Sequence, residues 1–227
     1  MSKKRTDKKE ETSPKMLSTQ DLVVLAADKD IKESIDGLLT KRTVTLGIRS
    51  ITYTTITHPE HDPGCLNQSA DLLRSYCKSH THALVVFDHE GSGRDCKETR
   101  IQMESSVETA LRKAGWDDRA ATIVIDPELE NWVWSSSQQI ATCLGWNDPK
   151  QSLREWLLKN EFLAEGTQIK PARPKESMDA VLRHVKRPRS SAIYRAIAEK
   201  VSVTRCTDPA FQKLCKTLQT WFPIPDA

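Results

Sequence analysis

The run Ala83-Leu-Val-Val-Phe87, closed by Asp88-His89-Glu90 and a Gly91-Ser-Gly93 turn, leaves this chain few folds. Five apolar residues in a row, without period-2 alternation, describe a strand buried on both faces, the usual condition of strands in parallel sheets. In an open parallel sheet, ligands bind at the carboxyl ends of the strands. A strand that carries Asp88 and Glu90 to that edge therefore predicts a divalent-cation site. A plainer reading stays open, in which Asp88 only turns the chain through an Asx hydrogen bond and Glu90 is solvated.

Two other runs share this character. Asp21-Leu-Val-Val-Leu-Ala-Ala27 ends at Asp28, and Ala120-Ala-Thr-Ile-Val-Ile125 ends at Asp126. Residues 47–57, rich in Ile, Thr and Tyr, read as a fourth strand. Between the strands, apolar residues recur at helical intervals over 31–39, over 66–80 and over 99–114, where Ile101, Val107, Leu111 and Ala114 form a stripe and Gly115 closes the helix. The segment 58–65, with Pro59 and Pro63, reads as a loop. The order β-α-β-α-β-α-β predicts an α/β fold with an open, mainly parallel sheet and helices on both faces. Right-handed crossovers would then line Asp28, Asp88 and Asp126 along one edge. Beyond Asp126 the pattern is mostly helical: 127–134 leads into a helix that ends at Leu144, and further helices follow over 149–160, 174–185, 190–201 and 209–222. The expected organisation is a disordered basic tail over 1–18, an α/β core over 19–145 and a helical C-terminal extension over 146–227.

Composition narrows the function classes. No apolar run approaches the roughly 18 residues that span a bilayer, and the first residues lack the apolar centre of a signal peptide, so a cytoplasmic protein is expected. The six cysteines are scattered without a C-x-x-C pair, which predicts reduced thiols. The net charge of +3 is small, but Lys3 to Lys9 and Arg183 to Arg189 are basic clusters, which favour polyanions or else simply solvate a tail and a helix face.

Phosphoester cleavage at a carboxylate cluster needs metal ions that neutralise the phosphate and activate water. Asp28, Asp88 and Glu90 are the candidate ligands for Mg²⁺ (or Mn²⁺), which favours one or two carboxylates with water and phosphate oxygens. Glu128 and Glu130, just past the last strand, complete the candidate catalytic set, although acids there also favour a helix N-terminus. Lys170, Arg173 and Lys175, on a proline-stiffened loop, are candidate nucleic-acid contacts. His58, His61, Asp62 and Cys65 have no second ligand cluster and do not read as a zinc site. Trp132 and Trp134 are read as core residues rather than as base-stacking groups.

Taken as a set, E-L-E-N-W (128–132), K-P-A-R-P-K (170–175) and C-T-D-P-A-F (206–211), with the acids at the strand ends, resemble a family of small Toprim-like bacterial proteins. More narrowly, the set resembles the Toprim-like component of methylation-associated phage-defence systems. The resemblance implies a Toprim-like sheet, a Mg²⁺-dependent nuclease or phosphoesterase, and nucleic acid or other defence-system proteins as partners. It places Asp28 at the first-strand acid and Asp88 and Glu90 at the acid-x-acid pair. Toprim enzymes carry glutamate and D-x-D at these places, whereas this chain has aspartate and D-H-E. The alternative is a non-catalytic Toprim-like scaffold or regulatory subunit that binds a larger defence protein or nucleic acid.

Overall fold

A computed structural model of the chain describes residues 19–134, 138–164, 166, 170–200 and 206–225. The expected tail over 1–18 lies outside the described residues. Among the described residues, one four-stranded sheet has the order β2-β1-β3-β4, with every neighbouring pair parallel. The strands are β1 (Gln20–Ala26), β2 (Tyr53–Thr57), β3 (His80–Asp88) and β4 (Ala120–Ile125). Leu22 to Ala27 and Ala83 to Phe87 are fully buried, as expected of strands covered on both sides.

The crossovers carry α1 (Lys29–Lys41) after β1, α3 (His61–Leu73) after β2 and α4 (Arg100–Leu111) after β3. The first crossover runs outward to β2, whereas the next two run the other way across the sheet. With right-handed connections, α1 therefore lies on one face, and α3 and α4 lie together on the other. The winding reverses between β1 and β3, which opens a crevice at their carboxyl ends.

The later helices are α5 (Glu130–Val133), α6 (Gln138–Leu144), α7 (Leu153–Lys159), α8 (Pro174–His184), α9 (Ser191–Lys200) and α10 (Pro209–Trp221). Helix α9 packs against α1 at Gly37, where a methyl group would stand 3.0 Å from both Ala198 Cβ and Arg195 O. No helix among the described residues is long and apolar enough to cross a membrane.

Four segments depart from expectation, each for a physical reason. Residues 47–57 are not one strand: a short helix α2 (Thr43–Leu46) comes first, and Arg49 and Thr52 are held by the Asp21 carboxylate, so pairing starts only at Tyr53. The presumed 58–65 loop is irregular only over 58–60, and from His61 it is the start of α3. Pro63 is tolerated there because first-turn N–H groups have no intrahelical partner. The helix expected over 66–80 accordingly runs from His61 to Leu73. On α4, Ile101 is exposed (66%), and the buried stripe is Met103, Val107 and Leu111.

As an edge strand, β4 would present bare N–H groups, a hazard that proteins usually cover. Here Thr122 N donates to Glu108 Oε1 (2.9 Å) and Val124 N to Glu104 Oε1 (3.1 Å). Lys213 of α10 binds both carboxylates, at 3.1 Å and 2.8 Å.

The three motifs behind the Toprim resemblance meet one another. Asp208 caps α10 through Ala210 N and Phe211 N, and it also accepts Trp132 Nε1 (2.9 Å) and Asn131 Nδ2 (2.8 Å). Lys170 Nζ donates to Asn131 Oδ1, and Lys175 Nζ to Glu128 Oε2. Replacing Asp208 by Ala removes a helix cap and strands the Trp132 indole N–H. The expected loss is about 2 kcal/mol, read from urea unfolding.

Candidate carboxylate site at the sheet switch point

Because all four strands run parallel, their carboxyl ends share one rim. Asp28 follows β1 and Asp88 ends β3, so the two stand on either side of the crevice where the winding reverses. Asp28 caps α1, with its Oδ1 accepting Ile31 N at 2.8 Å. Asp62, two residues into α3, reaches across and accepts the Asp88 backbone N–H at 2.9 Å. The Asp88 Oδ1 atom is sealed from solvent and has no hydrogen-bond partner.

These carboxylates feel one another. Burial, then Asp62, Glu130, Asp28 and Glu128, push Asp88 well above the usual carboxylate range. Burial also raises Asp62; the Asp88 N–H opposes this rise, and Asp28 adds to it. Cys65, beneath them, is raised by burial and by the charges of Asp62 and Asp28, so its thiol stays protonated and inert. His58 is buried and lowered by that burial, and its Nδ1 accepts Glu60 N.

The structure thus brings together Asp28 and Asp88, as expected, and adds Asp62. Glu90 stands apart: its side chain is exposed on the turn, while its N–H is bound to Pro127 O. Glu128 and Glu130 reach the rim but are ion-paired. Glu128 is buried (4%) and holds Lys175 at 3.0 Å, and burial raises its pKa while Lys175 opposes the rise. Glu130 (2% exposed) accepts Arg189 and Tyr194 Oη, each at 2.5 Å. Arg189 also reaches Asp30 and Asp179 and lies over the Tyr194 ring.

The three basic residues do not share one loop: Lys170 is tied to Asn131, Arg173 is exposed at the N-cap of α8, and Lys175 lies in the first turn of α8, half-exposed on Glu128. His89, between the two acids, is largely buried. Its side chain is 15% exposed, its Nε2 donates to Glu98 O at 2.8 Å, and its Nδ1 lies 3.9 Å from Asp126 Oδ1. Beside it, between Asp126 and the β3–α4 loop, is an open cleft of about 460 Å³.

Asp62 and Arg189 are the members of this site that the sequence did not reveal. Asp62 sat in a proline-flanked stretch that read as loop, and Arg189 in a basic cluster with no visible partner.

Among the described residues, no three His, Cys, Asp or Glu side chains are arranged to hold a metal ion as they stand. The donor chemistry nonetheless suits a hard cation, since Mg²⁺ needs only one or two carboxylates, and the unpartnered Asp88 Oδ1 is a carboxylate oxygen of that kind. No family model, no curated protein and no solved structure matches the chain.

Proposed function

We propose that this rim is a divalent-cation-dependent phosphoester site, and that the chain is a cytoplasmic, Toprim-like nuclease or phosphoesterase component of a bacterial methylation-associated phage-defence system. The observation that carries the chemistry is the meeting of Asp28, Asp62 and Asp88 at the switch-point crevice, with Asp88 Oδ1 left unpartnered. A cluster of like charges away from water is stable only when a proton or a cation offsets it. Asp62 and Asp88 would hold Mg²⁺ or Mn²⁺, with Asp28 alongside. Bound there, the cation would neutralise a scissile phosphate and lower the pKa of a coordinated water. Lys175 is half-exposed at the same rim and can exchange Glu128 for a backbone phosphate. The defence-system assignment rests on the resemblance of the three motifs.

A second reading, a non-catalytic scaffold or regulatory subunit, draws on the ion pairs. Lys175 occupies Glu128, Arg189 and Tyr194 occupy Glu130, and Glu90 faces solvent. The two readings separate when the full chain is incubated with end-labelled DNA and RNA, single- and double-stranded, in Mg²⁺ or Mn²⁺. Cleavage that a chelator abolishes is the expected result. Cation binding in a calorimetric titration without cleavage favours the scaffold. No cation binding at all overturns the metal site.

A further inference from the structure

Three of the six tryptophans are accounted for by the core: Trp116 and Trp134 are buried, and Trp132 is bound to Asp208. Trp221 stacks on His82, and Trp146 and Trp156 pack only partly against the core, with the Trp146 indole N–H donating to Gln151 O. Trp146 and Trp156 stand half-buried with their ring centroids 5.6 Å apart, and the exposed His184 imidazole packs against both, at 5.1 Å and 5.0 Å. Phe162 stacks on Trp156, 15° from parallel. This places four aromatic rings at the surface formed by the α6–α7 connection, α7 and the end of α8.

The same end of α8 begins the basic segment 183–189. Arg183 and Lys186 are exposed, and among the described residues no carboxylate pairs with either. Arg183 spends only its Nε, on Asp179 O. Arg187 is bound to Cys143 O and passes beside Gly145, next to Trp146. Arg189 ends the segment at Glu130, on the carboxylate rim. The segment therefore runs from the aromatic group to the candidate site.

We infer that the Trp146–Trp156–His184 surface and the adjoining Arg183 and Lys186 bind single-stranded nucleic acid and lead it toward the rim. Half-exposed aromatic rings offer π-faces and edges to unstacked bases, which a duplex keeps covered, and unpaired cations beside them suit the backbone phosphates. Charge complementarity selects this occupant over an apolar partner. The inference deepens the phosphoester reading by naming its substrate class, but it does not require turnover.

The test uses the full chain with Asp88→Asn, so that binding is read without cleavage. A labelled oligothymidylate is titrated by fluorescence anisotropy at several salt concentrations, with tryptophan emission recorded in parallel. Binding that quenches tryptophan emission is expected. In Arg183→Ala/Lys186→Ala, the slope of log affinity against log salt should fall by about 1.4, from two lost phosphate contacts at about 0.7 each. His184→Ala, at an exposed position, should weaken binding severalfold without altering that slope. Equal binding of a duplex without quenching, or an unchanged slope in the double variant, overturns the inference. Absence of cleavage in the wild type with this binding intact would leave it standing and remove only the hydrolytic reading.

Discussion

Asp88→Asn is expected to abolish cation-dependent cleavage and, in the absence of cation, to make the chain more stable at neutral pH. Both effects follow from one carboxylate. Burial and the neighbouring Asp62, Glu130, Asp28 and Glu128 raise the proton affinity of Asp88 above that of the same group in the unfolded chain. The folded state therefore binds the proton more tightly. Stability from this group is fully present below the unfolded value, about 3.9, and is lost as pH rises toward the raised folded value. Asn has no proton to lose, so the gap between variant and wild type should open across that interval. It amounts to about 1.4 kcal/mol for every tenfold by which the fold raises the Asp88 proton affinity. Urea unfolding at about pH 3.5, below that interval, and at pH 8 brackets it. Free Mg²⁺ at roughly 100 times its Kd should return about 2.7 kcal/mol to the wild type and far less to the variant. Equal gains in both chains would show that any bound cation sits elsewhere.

Gly64→Ala is expected to cost about 3 kcal/mol, the upper end of what overpacking usually costs. A methyl at that position would fall 2.0 Å from His58 Nδ1 and 2.2 Å from His58 Cε1, so the buried ring must leave its place. Gly64 lies in the first turn of α3, two residues past Asp62. The damage should therefore reach the Asp62–Asp88 hydrogen bond as well as stability. Removing the ring by His58→Ala frees the space, so most of the Gly64→Ala cost should vanish in that background. A denaturant double-mutant cycle with a coupling near zero would show that the clash is relieved some other way.

The strands were legible because β1, β3 and β4 are apolar runs of a kind that only two-sided burial favours, each followed by an acid. That pattern by itself places Asp28 and Asp88 on one rim. It could not show which acids lean inward. Glu90 is one residue past His89, whose ring folds back onto Glu98 O, and the chain turns Glu90 out to solvent. Asp62 was hidden because prolines on both sides suggested irregular chain, although Pro63 sits where a helix accepts it. Arg189 was legible as charge but not as a contact, because its partners Glu130 and Asp30 are distant in sequence. The motifs at 128–132, 170–175 and 206–211 read as a set with no visible reason. The Asp208, Asn131 and Lys170 hydrogen bonds supply that reason, since they fasten the C-terminal extension to the end of β4.

The glutamates beside β4 also bear on self-association. Their grip on Thr122 N and Val124 N leaves those amides nothing to offer an incoming chain, so the flank cannot template a fifth strand. A second copy arriving there would have to prise off two acids and the lysine that clasps them. Any lateral growth of this sheet is therefore directed to β2, at the opposite flank.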